Sequence, residues 1–565
     1  MSITSSIQMA TNAMSTAQLG LQVIGNNIAN ANTPGYVREN LVLAPAPLER
    51  RGDLLFGLGV EPQAVLQNID RFLEERLRNS SADLAYSQAQ EDTYVELEAI
   101  IGELSDTDLS TSLTNFFGSV NDILNQPENS SVRYLAIQRG VTLAEDVRRL
   151  DDRVNQLRVD TDQQIRLAVT DVNRLLNDIA RLNVQIVAAE GADASRSEAV
   201  GLRDTRSQAM LELSEIFGVR TEEQDNGAVA VYFDGDYIVF DGAVREVELG
   251  VDTQNGFSRS QVRIAETDRV LNPDSGKLGG LVKARDEILG GFLEDLNDYA
   301  KAIVFEFNKV HSSGQGLKGY TDITSEFTVD NATLPLDQAG LHYSPTNGTF
   351  KVQIHNKQTG LTQTTEVLVP LNGLEDDMTL TGLAEVLNAV DGLSAEVNAT
   401  RHLEISADSP LVEFSFADDS SGILATLGIN TFFTGQSAST MGVHDSIRQD
   451  SALFAASRGG IGADTENAVT LAGFLNAELE SLNGSTIADD YERMIGETTQ
   501  AASVARAVAD GFRVYQQTIE GQHLAITGVN LDEEVIKMMS YQRMFQASAR
   551  FVSTISDLLD VLVNI

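Results

Sequence analysis

The stretch from Ser2 to Tyr36, SITSSIQMATNAMSTAQLGLQVIGNNIANANTPGY, places Ile3, Ile7, Ala10, Met14, Ala17, Leu21, Ile24 and Ile28 at alternating steps of four and three. That spacing predicts a heptad seam along one helix, and a seam needs a partner. No Asp, Glu, Lys or Arg precedes Arg38, and the other faces carry Ser, Thr, Asn, Gln, Ala and Gly. Such a helix gains nothing from charged pairs along its length, and roughly 26 residues of it would be marginal alone in water. The stretch predicts a helix that is built to be covered, and a segment that orders when it is.

A partner lies at the other end of the chain. Leu531, Val535, Met538, Gln542, Phe545, Ala549, Val552, Ser556, Leu559 and Val563 keep the same four-three spacing, and all but Gln542 and Ser556 are apolar. If the two ends pair, the middle must leave and return, so the domains nest like brackets. The competing reading, two ordinary amphipathic helices on one globular core, is disfavoured because surface helices normally carry charge on their outer face.

Composition sets the outer bounds. A chain of 565 residues should hold about three or four domains. Its net charge of -42, with 40 basic against 82 acidic residues and no basic run, argues against nucleic acid. The absence of cysteine excludes disulfides, thiolate chemistry and thiolate-bound metals. No basic region followed by a short apolar run marks a cleavable secretory signal, and the Ser-, Asn- and Gln-rich N-terminus predicts no membrane span.

Inside the brackets the hydrophobic period changes twice. Leu41 to Gln67 is punctuated by Pro45, Pro47, Gly57, Gly59 and Pro62 and reads as an extended connector. Helices follow over Asp70 to Glu103 and from Leu109, and Ser130 to Glu190 contains Gly140 but no Pro, predicting one long helix. From Val219, the runs Ala228 to Phe233, Tyr237 to Phe240 and Val244 to Leu249 are separated by Asp234-Gly235 and Asp241-Gly242, which are hairpin-turn pairs. Gly279 to His311 returns to helix. Strands are then predicted at Phe350 to His355, Thr365 to Val369, Leu403 to Ala407 and Leu411 to Phe416, with a helix at Thr381 to Val390. Asp464 to Leu482 and Ile487 to Ile526 are helical again before the C-terminal seam.

Several of these segments carry a resemblance. Asn27-Ile-Ala-Asn30-Ala-Asn32-Thr33-Pro34-Gly35-Tyr36 resembles the N-terminal signature of the bacterial flagellar axial proteins, which form the rod, the hook and the hook-associated parts. Arg38, Gly57-Leu58-Gly59-Val60, Asp70-Arg71-Phe72-Leu73, Asn115-Phe116-Phe117, Arg133, Arg285-Asp286, Asn308, His311 and Gly314 resemble the hook-associated branch, as does the run Tyr541-Gln542, Phe545-Gln546-Ala547-Ser548-Ala549-Arg550. Two departures stand out. Gln67-Asn68 occupies the place of a basic residue before Asp70, and Ser207 stands where the pattern Leu202-x-Asp204-x-Arg206 continues with Asp.

Enzymatic readings find little support. The six histidines have no H-x-H or H-E-x-x-H spacing, and there is no G-x-S-x-G elbow. Gly314-Gln315-Gly316-Leu317-Lys318-Gly319 matches G-x-G-x-x-G, yet it follows a predicted helix instead of a strand, so it reads as a helix-ending loop. Asp234, Asp236 and Asp241 could hold a cation, but hairpin turns account for them. No catalytic residue, cofactor or metal is expected.

The sequence therefore predicts an α+β multidomain chain with a nested architecture: a terminal coiled-coil domain (1–36 plus 531–565), a long-helix bundle (37–218, 279–320 and 440–530), a β-meander insertion (219–278) and a β-rich outer domain (321–439). The expected assembly interface is Ile3, Ile7, Met14, Leu21, Ile24 and Ile28 with Leu531, Val535, Met538, Phe545, Val552, Leu559 and Val563. The resemblance implies an extracellular structural adaptor between hook and filament that is exported without a cleaved signal and self-assembles as a ring-like tubular layer. It also implies contact with hook protein on one side and a companion junction protein on the other, indirect links to the filament cap and flagellin, and an export chaperone on the C-terminal helix. Another axial protein, hook or distal rod, and an enzyme displayed on a flagellar scaffold are the rival readings.

Overall fold

A computed structural model of the chain describes residues 3–51, 54–102, 109–191, 199–254, 257–462 and 464–563. In chain order, α1 (Ile3–Ala29) is followed by β1 (Glu39–Pro45), β2 (Leu48–Arg51), β3 (Leu54–Gly57) and β4 (Val60–Gln67). Four helices come next: α2 (Arg71–Gly102), α3 (Leu109–Asn125), α4 (Ser130–Glu190) and α5 (Val200–Ile216). The first insertion holds β5 (Arg220–Glu223), β6 (Val229–Phe233), β7 (Asp236–Phe240), β8 (Ala243–Val244), β9 (Val247–Gln254), β10 (Phe257–Ile264) and β11 (Arg269–Val270). Then α6 (Gly276–Lys283) runs through a π-helical turn, Ala284–Leu289, into α7 (Gly290–Ser312).

The second insertion contains β12 (Asp322–Thr324), β13 (Gly348–Asn356), β14 (Thr362–Val369), α8 (Leu380–Asn388), β15 (Leu393–Val397), β16 (Leu403–Ala407), β17 (Val412–Ala417) and α9 (Ile423–Leu427). The short elements β18 (Phe433–Thr434), β19 (Gly442–Val443), α10 (Asp445–Gln449) and α11 (Glu466–Gly473) lead to α12 (Ile487–Thr527) and α13 (Leu531–Val563). Two compact units result: residues 1–93, 160–285 and 503–565, and residues 94–159 and 286–502. Each unit is built from segments distant in sequence, which is the nesting expected from paired chain ends.

The first unit centres on the second half of α4, α5, α6 and the β5–β11 insertion, where Ile165, Val172, Leu176, Ile179, Leu213, Phe217, Val231, Ile238 and Ile264 are buried together. Two asparagines on α4 bond strand backbone. Asn173 donates to the Val247 carbonyl (2.7 Å) and accepts from its N–H (2.9 Å), and Asn183 does the same to Val229 at 2.8 and 3.0 Å. A side-chain amide matches the donor-acceptor pattern of a peptide, so it can close a strand edge against a helix. Arg285 adds an ion pair with Asp162 at 2.6 Å and a bond to the Ser260 carbonyl at 2.7 Å.

The second unit closes around rings. Phe116 has the rings of Phe117, Phe307, Phe432 and Phe433 within 5.0 to 5.6 Å, an arrangement that adds to the burial of apolar area. Gly140 of α4 has no space for a side chain, since a Cβ there would lie 2.6 Å from the Phe432 ring. The second insertion forms the sheets β14-β13-β17 and β12-β16-β15, all antiparallel.

Differences from the sequence expectations have local causes. The stretch Leu41 to Gln67 is no mere connector: β1 and β4 pair from Glu39↔Gln67 to Pro45↔Val60, and Pro62 is accommodated opposite Leu43, where the register shifts at a bulge. Asp234 and Asp241 adopt φ of 48° and 49°, the left-handed geometry of Asp-Gly hairpin turns. The run Val244 to Leu249 divides between β8 and β9, and β10 and β15 were not anticipated. The predicted helix Asp464 to Leu482 is α11 followed by 3-10 turns, Phe474–Asn476 and Glu480–Leu482. Glu103, the expected end of the second helix, lies outside the described residues.

Candidate assembly interface

In the first unit α1 and α13 pack antiparallel as one helical pair. Asn27 bonds Glu534, and a Cβ on Gly20 would lie 2.6 Å from the Tyr541 ring, so both points give the same register. Continued by heptads, that register brings Ala13 level with Ser548 and Ser6 level with Ile555. The covered row on α1 is Ser6, Ala10, Ala13, Ala17, Gly20, Ile24 and Asn27, and on α13 it is Glu534, Met538, Tyr541, Phe545, Ser548, Val552, Ile555 and Leu559.

The expected seam and the covered row share Ala10, Ala17, Ile24, Met538, Phe545, Val552 and Leu559. At alternate positions the covered row is offset by one residue toward the N-terminus of each helix. Ile7, Met14, Leu21 and Ile28 are therefore half-buried flank residues, while Leu531, Val535, Gln542 and Ser556 are exposed. Ile3 and Val563 belong to the helices, but their side chains lie outside the described residues. Small Ala13 and Gly20 let the helices approach closely enough for Tyr541 to lie across α1. An apolar spacing count, which weights large side chains, passes over such positions.

The β1–β4 ribbon covers a second flank of α1. Asn12 donates to the Leu58 carbonyl (3.2 Å) and Thr16 to the Val60 carbonyl (3.4 Å), while Gly59, at φ 90°, lies close to Met9. Two faces of the uncharged helix are thus occupied by its own chain. The remaining face, with Gln8, Thr11, Ser15, Gln18, Gln22 and Asn26, is exposed and uncharged.

At the end of the pair lies a polar lock. Asn27, fully buried, donates to the Glu39 carbonyl (2.9 Å) and to Glu534 Oε2 (3.0 Å), and its Oδ1 accepts from the Tyr36 hydroxyl (2.8 Å) and the Glu39 N–H (2.9 Å). All four hydrogen-bonding positions of the amide are filled. Arg38 bonds Glu534 Oε1 through Nε (2.9 Å) and Nη2 (2.6 Å) and reaches Glu533 at 2.8 Å. Its N–H donates to the Thr527 carbonyl at 2.9 Å, tying the segment to the turn between α12 and α13. Burial pushes the Glu534 carboxyl up, but the bonds from Asn27 and Arg38 and the charges of Lys537 and Arg38 outweigh it and hold the group below the usual carboxylate range.

The other motif residues divide by role. Asn30 donates to the Asn26 carbonyl and accepts from Thr33, and Tyr36 N–H closes a turn on Thr33 at 3.2 Å. Gly35 has φ 76°, and a Cβ there would stand 2.8 Å from Gln208 Oε1. Asn32 and Pro34 are exposed. In the C-terminal run Tyr541, Phe545, Ser548 and Ala549 are half-buried, whereas Gln542, Gln546, Ala547 and Arg550 face solvent. Asp532 and Glu533 sit in the first turn of α13, whose N–H groups Asn530 caps at 3.0 and 3.4 Å.

Beside the lock, Asp204 accepts from Gln67, whose bond is very short, and from the Val37 N–H. Burial, with Glu39 and Glu74 nearby, pushes its carboxyl up to about 7. Glu534, the buried centre of the lock, is not among the residues that the sequence pattern singles out. The signal was available as Asn27 and Arg38 at one end of the N-terminal seam and an acid at the opposing end of the other.

Elsewhere the candidate chemistry resolves into structure. His311 Nδ1 pairs with the Asn430 carbonyl at 2.9 Å and Nε2 accepts from the Ala455 N–H at 3.1 Å, which fixes a neutral ring, and burial lowers its pKa to about 4. Gly314, Gly316 and Gly319 lie against Asn467, the Ala452 carbonyl and the Phe414 carbonyl, so the G-x-G-x-x-G run is a packing loop. Asp234 and Asp236 pair with Arg269. Among the described residues no group of acids or histidines is arranged to hold a metal ion, and no helix is long and apolar enough to cross a membrane.

Comparison with known proteins places these features. Residues 94–325 match the flagellar hook-associated protein FlgK helical domain, residues 7–36 the flagella basal body rod protein family, and residues 520–565 the C-terminal family of flagellar basal body rod FlgEFG proteins. Flagellar hook-associated protein 1 of Salmonella typhimurium is 24% identical over 585 residues, covering 100% of both chains. The Bacillus subtilis protein of the same name is 23% identical over 595 residues, covering 99% of this chain and 97% of its own. The solved flagellar hook junction protein FlgK from Burkholderia pseudomallei is similar in fold at 16% identity, with a TM-score of 0.51 over 80% of this chain and 100% of that one.

Proposed function

We propose that the chain, like its relatives named flagellar hook-associated protein 1, is a structural component of the bacterial flagellum at the hook–filament junction, and that it joins hook to filament by assembling through its terminal helices as a tubular layer. The observation that carries the mechanism is the incomplete surface of the helical pair. Ile536, Met539, Phe551, Leu558 and Val561 of α13 are exposed, as is the uncharged open face of α1. A helix end that is locked internally yet leaves large apolar side chains in solvent is suited to further helices of the same kind, and an uncharged face leaves no unpaired charge when covered.

The expected seam residues Leu531 and Val535 and the outward Gln542, Gln546, Ala547 and Arg550 then serve contacts between copies, while the covered row serves the chain itself. In this reading the terminal helices are largely unfolded in the free chain and order on assembly. In the same reading the chain divides into four parts: the terminal pair, the helix bundle, the β-meander and the second, β-rich insertion. Hook protein and the companion junction protein are the axial neighbours, cap and flagellin follow indirectly, and a chaperone covers α13 during export without signal cleavage to the extracellular junction. The role is structural, not enzymatic.

Hooks isolated from cells lacking this protein provide the test. Purified chain is added with companion junction protein, cap and flagellin, and filaments are counted by electron microscopy. Intact chain should restore filaments, while chains lacking Met1 to Tyr36 or Leu531 to Ile565 should not. Truncated chains that work as well would reduce the helices to export devices, and failure of soluble monomeric intact chain to bind hooks would favour a hook or rod role.

A further inference from the structure

A cleft of about 500 Å³ in the first unit, between the start of α2, α5 and β5, contains guanidinium groups whose charge is only partly met. Arg203 is saturated, with Glu190 at 2.8 Å and Glu223 at 2.6 Å, and Glu223 also takes Arg71 at 2.7 Å. Arg78 and Arg206 are left without a close carboxylate: Glu74 stands 4.0 Å from the first and Glu223 4.0 Å from the second. Arg206 is 3% exposed, donates through Nη1 to Asn183 and the Gly227 carbonyl, and has no partner at Nε.

The remaining acids compensate little. Glu75 and Glu222 are exposed at the rim. Burial pushes the Glu74 carboxyl up despite the charge of Arg78. The same burial holds Arg78 and Arg206 below the usual guanidinium value, Arg206 at about 10. Thr221 accepts from Arg78 at 3.2 Å, leaving its hydroxyl hydrogen available, and Ser207 adds a second hydroxyl to the wall.

We propose that this cleft is a binding site for a small oxyanion, a carboxylate or phosphate group, held between Arg78 and Arg206. Paired guanidinium donors match the geometry of such groups. The group can be a free ion or a carboxylate of a second copy.

Titration calorimetry and thermal unfolding of the full chain with sodium phosphate, sodium acetate and sodium chloride at equal ionic strength test the site. Saturable heat and a raised melting temperature with phosphate or acetate, but not chloride, are expected. Arg78→Gln should weaken binding by about tenfold, one lost charge-assisted bond. Ser207→Asp, which adds a carboxylate to the wall, should raise the anion-free melting temperature and abolish the anion response. Sedimentation separates the sources: association reversed by phosphate identifies a carboxylate of a second copy, and a constant monomer identifies a free ion. No saturation with either oxyanion, or undiminished binding by both variants, would overturn the proposal.

Discussion

In the second unit Phe116, Phe307, Phe432 and Phe433 meet ring to ring with none of them exposed, and even His311 has both nitrogens satisfied. In the first, the α1–α13 pair buries an amide and a carboxylate at its end and leaves Ile536, Phe551 and Leu558 in solvent. The aromatic cluster is complete within one chain. The terminal pair has its register fixed by polar groups but its apolar surface unspent, as expected of an element that finishes folding against its neighbours.

The contrast can be broken most forcefully in the aromatic core. Phe307→Ala should cost about 3 to 5 kcal/mol in urea unfolding of the second unit. In the lock, Asn27→Ala leaves Glu534 short of a donor and Tyr36 short of an acceptor. A loss of about 1 to 3 kcal/mol is expected, read as faster amide exchange at Ile24 to Ile28 in chains assembled on hook tips. Gly20→Ala forces a Cβ against Tyr541, and overpacking of this kind costs about 1 to 3 kcal/mol. If its effect matched that of Gly25→Ala, which meets nothing within 4 Å, the register would be wrong.

Titration sharpens the comparison further. The Glu534 carboxyl is held below its usual range, so its contribution is present above the unfolded value and fades as pH falls through the folded one. Asp204 works in the opposite sense: with its folded pKa near 7, its contribution is full below the unfolded value and lost as pH rises through 7. The first unit should therefore melt at a lower temperature at pH 8 than at pH 6, and Asp204→Asn should flatten that difference. The smallest effect belongs to Leu558→Ser, an exposed site where stability should move by no more than about 0.5 kcal/mol, while tube assembly is lost.

Much of this was legible in the sequence. The four-three spacing at both ends gave the pairing, the lack of Pro in Ser130 to Glu190 gave α4, and Asp-Gly pairs gave the β6–β7 and β7–β8 turns. The exact row of the terminal seam was less accessible because apolar residues on α1 occupy neighbouring heptad positions, and Gly20 opposite Tyr541 settles the choice through size, not hydrophobicity. The lock was hidden because Asn27 and Glu534 lie far apart in sequence and both look like surface residues. The β1–β4 ribbon was masked by prolines that sit at strand ends and a bulge.

Hydrogen exchange of Ile7 to Ile28 and Met538 to Leu559, in dilute monomer and again on hook tips after assembly, tests the central claim most directly. Rapid exchange in the monomer and strong protection after assembly is the predicted result. Strong protection of both helices already in the dilute monomer would contradict it.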